Sequence, residues 1–144
     1  MITRLRAENF KSWRDTGDLR LAPLTGLFGA KSSGKSSILQ TLLVLRQTAA
    51  SLDPKMVLDL GGEGAPVQLG SFRDVIHRHA EGAALKISLS SDGGGRGIRH
   101  GSAYEPIEEI SAYKFEASFG ERKNQIFVNE FHYSVNGHVI GMRA

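Results

Sequence analysis

The chain has 144 residues, 40% of them apolar and 23% charged, with a formal net charge of +3 and no cysteine. That composition excludes a disordered or collagen-like chain, leaves room for one domain with a core, and excludes disulfides, thiolate zinc sites and cysteine nucleophiles. No run of about 18 apolar residues predicts a membrane span, and Met1–Arg6 lacks the apolar core of a signal peptide, so a cytoplasmic protein with no membrane partner is expected.

Ile2 to Trp13 sets Ile2, Leu5 and Phe10 among Arg4, Arg6, Glu8 and Lys11, and part of it reads as a strand with one wet face. Arg4, Arg6, Lys11 and Arg14 form the densest basic group, which suits either a solvated edge strand or contact with nucleic acid. A turn is expected at Asp15–Asp18. Leu19 to Phe28 predicts a second strand, in which Pro23 argues for a bulge or a break.

Residues 29–36 then read Gly29-Ala30-Lys31-Ser32-Ser33-Gly34-Lys35-Ser36, the phosphate-loop pattern G-x-x-x-x-G-K-[ST] at every fixed position. Gly29 and Gly34 permit backbone angles that a side chain would forbid. Successive N–H groups from Gly29 to Lys35 can converge into an anion nest. Lys35 is expected at the β- and γ-phosphates of a nucleotide, and the Ser36 hydroxyl on Mg²⁺. With Ser37, these nine residues are the predicted nucleotide-binding set.

Ser36 to Ala50 predicts a helix. Ile38, Leu39, Leu42, Leu43, Leu45 and Arg46 cover most of its circumference, which predicts burial on more than one side. Its N-terminus would lie under the phosphates, where its partial positive charge favours an anion. Asp53-Pro54 ends this region. Gly61, Gly62 and Gly64 mark a loop, and Val67 to Ile76 reads as a short strand leading into a turn of helix.

Ala84 to Ser90 alternates with period 2 and predicts a strand. Ser91 to Ser102, with Gly93, Gly94, Gly95, Gly97 and Gly101, predicts a flexible connection. The last third reads as all-β. Ile110 to Phe119 alternates, and so does Gln125 to Val135, across Phe127, Asn129, Phe131 and Tyr133. Asn136-Gly137 signals a two-residue hairpin turn into His138–Ile140.

Glu8-Asn9-Phe10-Lys11-Ser12-Trp13, followed after a turn by Leu24 to Ser37, resembles the N-terminal part of an ABC-type ATPase head. The branch is that of RecF, the structural-maintenance-of-chromosomes proteins and the overcoming-lysogenization-defect nucleases. Within it the chain is most similar to stand-alone AAA-family ATPases that open with an ENFKSW strand and carry a GANSSGKSS loop. The likeness covers residues 1–79 well and residues 80–144 loosely. It implies an α/β fold, the N-terminal portion of a P-loop NTPase head, with residues 1–79 as the nucleotide-binding lobe and 80–144 as an antiparallel β-rich subdomain. It implies ATP and Mg²⁺ as cofactors. It implies ATP hydrolysis in a complete head or a head-to-head dimer, in DNA repair or defence, with DNA left open as a partner. Gln68 would then stand for the Gln that follows the first helix in such heads, with Asp74 as an acidic alternative. Lys11 and Ser12 lie where related heads approach the base or the phosphates.

The chain departs from that pattern in places. Lys31 stands where the usual loop has Asn, so a second cation would either join the phosphates or crowd them. The strand ending Asp-Glu that supports hydrolysis has only Ile126-Phe127-Val128-Asn129-Glu130 as a candidate, and Glu130 reads there as a hairpin carboxylate. No signature Ser-Gly-Gly segment and no switch His follow, so no residue is named as catalytic. His77 and His79 lack company in metal-ligand spacing. Because the chain ends after a β-hairpin, a truncated nucleotide-binding or interaction module without turnover remains the alternative. A small-molecule kinase is a third reading, against which the β-rich last third argues.

Overall fold

Alternation in Arg4–Phe10 builds strand β1, whose Leu5 and Ala7 point into the core. Asn9 takes a left-handed backbone (φ 57°), which shifts the phase by one residue and turns Phe10 inward, where it is fully buried. The Asn9 side chain holds this kink by donating to the Ala84 carbonyl at 2.9 Å. Lys11 and Ser12 then turn the chain into β2 (Trp13–Asp15), which sets Trp13 opposite Phe10.

The computed structural model describes residues 1–93 and 112–143. These residues form one sheet in the order β2-β1-β4-β5-β6-β7, with the two-residue β3 (Leu19–Arg20) also pairing with β1. The remaining strands are β4 (Leu85–Ser91), β5 (Tyr113–Arg122), β6 (Gln125–Val135) and β7 (His138–Arg143). Every ladder is antiparallel. Helix α1 (Lys35–Ala50) is the one long helix among the described residues; α2 (Phe72–Val75) and a 3-10 turn at His77–His79 are short. Residues 94–102 of the expected glycine-rich connection, with Gly94, Gly95 and His100, lie outside the described residues, as does Ile110.

The expected α/β P-loop NTPase fold is therefore corrected to a mostly antiparallel β fold with one long helix against the sheet. The reason is local. A parallel layer needs strand–helix–strand crossovers, and the strand expected to feed the phosphate loop does not form. Its Leu24 and Phe28 are 92% and 94% exposed. Pro23 lacks a donor at the start of that segment, and only Leu19 and Arg20 pair. After α1, residues 57–71 form no strand either, including the one expected near Val67. The short helical turn read after it does form, as α2.

One face of the sheet is apolar. Leu5, Leu89, Phe115 and Ala7, Ile87, Ala117 stand in facing rows, with Leu85 and Phe119 beside them. The other face is charged, with Arg6, Glu8, Lys86, Glu116, Glu130 and His132 together. Arg6 grips Asp15 with two hydrogen bonds (3.0 and 2.7 Å) and lies 3.4 Å from Glu8. These bonds from Arg6, and one from the Gly17 amide, hold the Asp15 carboxyl below the usual aspartate range.

Two hairpin turns organise the last strands. Asn136 (φ 49°) and Gly137 (φ 86°) make the turn that the Asn-Gly pair announces. Lys123 (φ 51°) and Asn124 (φ 60°) make the same kind of turn between β5 and β6. The expected alternation of β6 is broken. Ser118 faces Glu130 but Phe119 faces Val128, so Asn129 is the extra residue of a bulge. Val128 and Phe131 thereby share the apolar face, and Phe127 turns away from it to sit beside Gly120.

Candidate anion-binding site

Residues 29–34 run directly into α1. Ser32 (φ 63°) and Gly34 (φ 85°) take left-handed backbone, and Gly29 (φ 150°) lies in a region that L side chains rarely enter. Gly34 is the N-cap residue of α1, and no side chain caps this end. The first turn carries no acidic residue. Ser37 N–H closes onto the Gly34 carbonyl at 3.1 Å. Among the described residues, the N–H groups of Gly34, Lys35 and Ser36 find no protein acceptor. A helix start of this kind carries partial positive charge and several unused donors.

The Lys35 side chain folds back over the loop. Its Nζ donates to the Gly29 and Ala30 carbonyls at 2.8 and 2.6 Å and reaches Ser33 Oγ at 3.3 Å. Among the described residues neither Lys35 nor Lys31 pairs with a carboxylate. The Ser36 hydroxyl is exposed beside them. The donor set thus suits an anion with a divalent cation: bare amides, an ammonium held only by neutral oxygens, and a free-facing hydroxyl. For a phosphate to enter, Lys35 must leave the two carbonyls.

The β1–β2 hairpin supports the loop from below, through a residue the sequence reading did not single out. Trp13 Nε1 donates to the Gly34 carbonyl at 3.0 Å. A Cβ on Gly34 would sit 2.6 Å from that nitrogen and 3.0 Å from the Ser12 Cβ. Gly34 is therefore required twice, for its backbone angle and for this close approach. No short-range pattern marks the contact, because it joins residues 21 apart in the chain.

The remaining expected site residues are placed elsewhere. Gln68 is exposed between buried Val67 and Leu69. Asp74 accepts from the Ser71 amide at 2.8 Å and the Ser71 hydroxyl at 2.7 Å, while Ser71 Oγ accepts from Asp74 N–H. This is a capping box at the start of α2, and those bonds lower the Asp74 pKa. The Lys11 carbonyl meets His77 Nδ1 at 2.8 Å, and its amide donates to Val75 O at 2.7 Å. His79 Nδ1 lies 2.9 Å from the Arg73 carbonyl. Glu130 lies on the charged face of β6, 3.1 Å from His132, and α1 packs on the opposite face.

α1 buries one stripe, Ser37, Ile38, Thr41, Val44 and Gln47, and leaves Leu39 exposed, so it is not enclosed on several sides. Gln47 is the polar residue that pattern reading missed. Its Nε2 donates to the Asp59 and Val67 carbonyls (2.7 and 3.2 Å) and its Oε1 accepts from Val67 N–H (3.2 Å). It ties the helix to the loop of residues 57–69. No helix among the described residues is long and apolar enough to cross a membrane. No family model matches the chain, and no curated protein matches it.

Proposed function

We propose that the loop from Gly29 to Ser37 binds the polyphosphate of ATP with Mg²⁺. The observation that supports this most is the Lys35 ammonium, folded onto the Gly29 and Ala30 carbonyls beside the uncapped start of a 16-residue helix, with no carboxylate partner among the described residues. A triphosphate replaces the Gly29 and Ala30 carbonyls as the partner of Lys35. The loop amides take the phosphate oxygens, Ser36 ligates Mg²⁺, and Lys31 adds a second positive charge at the mouth. The likeness to ABC-type heads in the motif and in the ENFKSW segment supports a nucleotide rather than a simple anion, and a cytoplasmic setting. It does not extend to the α/β fold. In such proteins ATP turnover belongs to a completed head or dimer. Turnover needs a carboxylate that positions water, and Glu130, on the face of the sheet away from α1, does not serve in that role.

Titration calorimetry with Mg-ATP tests this. The folded wild-type chain is expected to bind, and Lys35→Ala to lose at least about tenfold in affinity, the equivalent of one charge-assisted hydrogen bond. Absence of heat from folded wild-type protein would sink the reading. A second reading, an interaction module, draws on Leu24 and Phe28, both nearly fully exposed beside the loop. It predicts self-association that Leu24→Ser with Phe28→Ser abolishes. A monomer in sedimentation at all concentrations would count against it.

A further inference from the structure

We infer that Trp13 is the positioning residue of the phosphate loop, an inference that rests on the reading above for its ligand but not for its geometry. Trp13 is the single tryptophan of the chain. It stands at the first position of β2, opposite buried Phe10, so its backbone is fixed by the sheet. From there its indole N–H reaches the Gly34 carbonyl at 3.0 Å. That carbonyl also closes the first turn of α1 by accepting Ser37 N–H at 3.1 Å. One carbonyl thus joins the sheet edge, the loop and the helix start.

The consequence concerns the amides on either side of that carbonyl. A left-handed Gly34 has wide freedom, and glycine loses more entropy on ordering than any other residue. The indole removes that freedom in two ways. Its N–H fixes the direction of the Gly34 carbonyl, and hence of the next N–H in the chain, that of Lys35. Its ring occupies the space where a side chain on Gly34 would lie. The Lys35 and Ser36 amides are therefore held in one direction before any ligand arrives, which lowers the ordering cost at binding. Lys35 and Ser36 are the residues that touch the phosphates and metal; Trp13 acts through Gly34.

Two variants and two readouts test this. Trp13→Phe keeps an aromatic ring and removes the donor, and Trp13→Ala removes both. Without ligand, exchange of the Ser37 amide, which bonds to the Gly34 carbonyl, is expected to rise about five- to tenfold in Trp13→Phe, the weight of one hydrogen bond, and further in Trp13→Ala. Exchange in β4 and β5 should stay unchanged. In Mg-ATP titrations Trp13→Phe is expected to bind five- to tenfold more weakly, and the wild-type indole fluorescence to shift as ligand fills the loop. Unchanged exchange at Ser37 in Trp13→Phe overturns the inference, and so does a uniform rise across the sheet, which would mean a structural role alone. If the wild type shows no binding while exchange at the loop still responds to Trp13→Phe, the positioning stands and the nucleotide reading falls.

Discussion

At its C-terminal end α1 buries a polar side chain, Gln47, only 6% exposed, and uses both of its amide atoms on main-chain groups of Asp59 and Val67. At its N-terminal end the same helix leaves main-chain donors without a protein acceptor among the described residues, and Lys35 folds back onto the Gly29 and Ala30 carbonyls. Polar atoms are present in both places, and their satisfaction differs. A buried polar group whose partners lie within the chain is structure, because leaving it unpaired is costly. Main-chain donors without a protein acceptor, beside a cation that no carboxylate among the described residues neutralises, are what the proposed anion site rests on. The burial of a polar residue and the exposure of a glycine-rich loop therefore lead to opposite assignments on one helix.

The largest expected effect breaks the structural end. Gln47→Ala removes three hydrogen bonds and leaves two carbonyls and an N–H of the 57–69 loop without partners. Urea denaturation should show a loss of about 3 kcal/mol or more, while Mg-ATP affinity of the folded fraction changes less than about twofold, since distant sites add independently. A stability loss below about 0.5 kcal/mol, the range of an ordinary surface change, would mean that the clamp is not what holds this loop.

The next effect joins the two ends. Gly34→Ala places a methyl against the Trp13 indole on a left-handed backbone. Strain of this kind costs of order 1–3 kcal/mol, and the chain can relieve it by swinging the loop away from Trp13. Loss of Mg-ATP binding together with about 2 kcal/mol of stability is the expected result. Binding that survives intact would show that the loop needs no fixed Gly34.

What was legible in the sequence follows the range of the interactions. The helix after the glycine-rich loop and the Asn136-Gly137 turn are encoded in adjacent residues, and each forms where it reads. The Lys123-Asn124 turn has the same geometry but puts a lysine at positive φ, which no turn preference announces. Period-2 counting puts Phe127 in the same row as Phe131, but the bulge at Asn129 shifts the register, and Phe127 lies outside the apolar face. Counting leucines on α1 misplaces its buried stripe, because Thr41 and Gln47 are buried with their hydrogen bonds made and Leu39 is not. Trp13–Gly34 is a contact across the fold and leaves no local trace. The parallel layer came from the family likeness alone. It does not form, because the segment holding Pro23 does not complete a strand and the stretch after α1 forms none.

The smallest effect separates the sheet edge and α2 from the Gln47 clamp by pH. Asp15 is held below the usual aspartate range by hydrogen bonds from Arg6 and the Gly17 amide, and Asp74 by its hydrogen bonds with Ser71. A carboxyl with a lowered folded pKa binds its proton more readily in the unfolded chain. Its contribution is complete above the unfolded value of about 3.9 and fades as pH falls through the folded value. Both groups are exposed and the contribution is screened, so the slope is expected to be shallow and steepest below about pH 4. Asp15→Asn with Asp74→Asn should flatten stability against pH in that range. Gln47 carries no titrating group, so Gln47→Ala should lower the whole curve by a constant amount and keep its slope. A slope that flattens in Gln47→Ala would mean that the clamp and the acid-sensitive edge unfold as one unit, and the contrast between them would then be false.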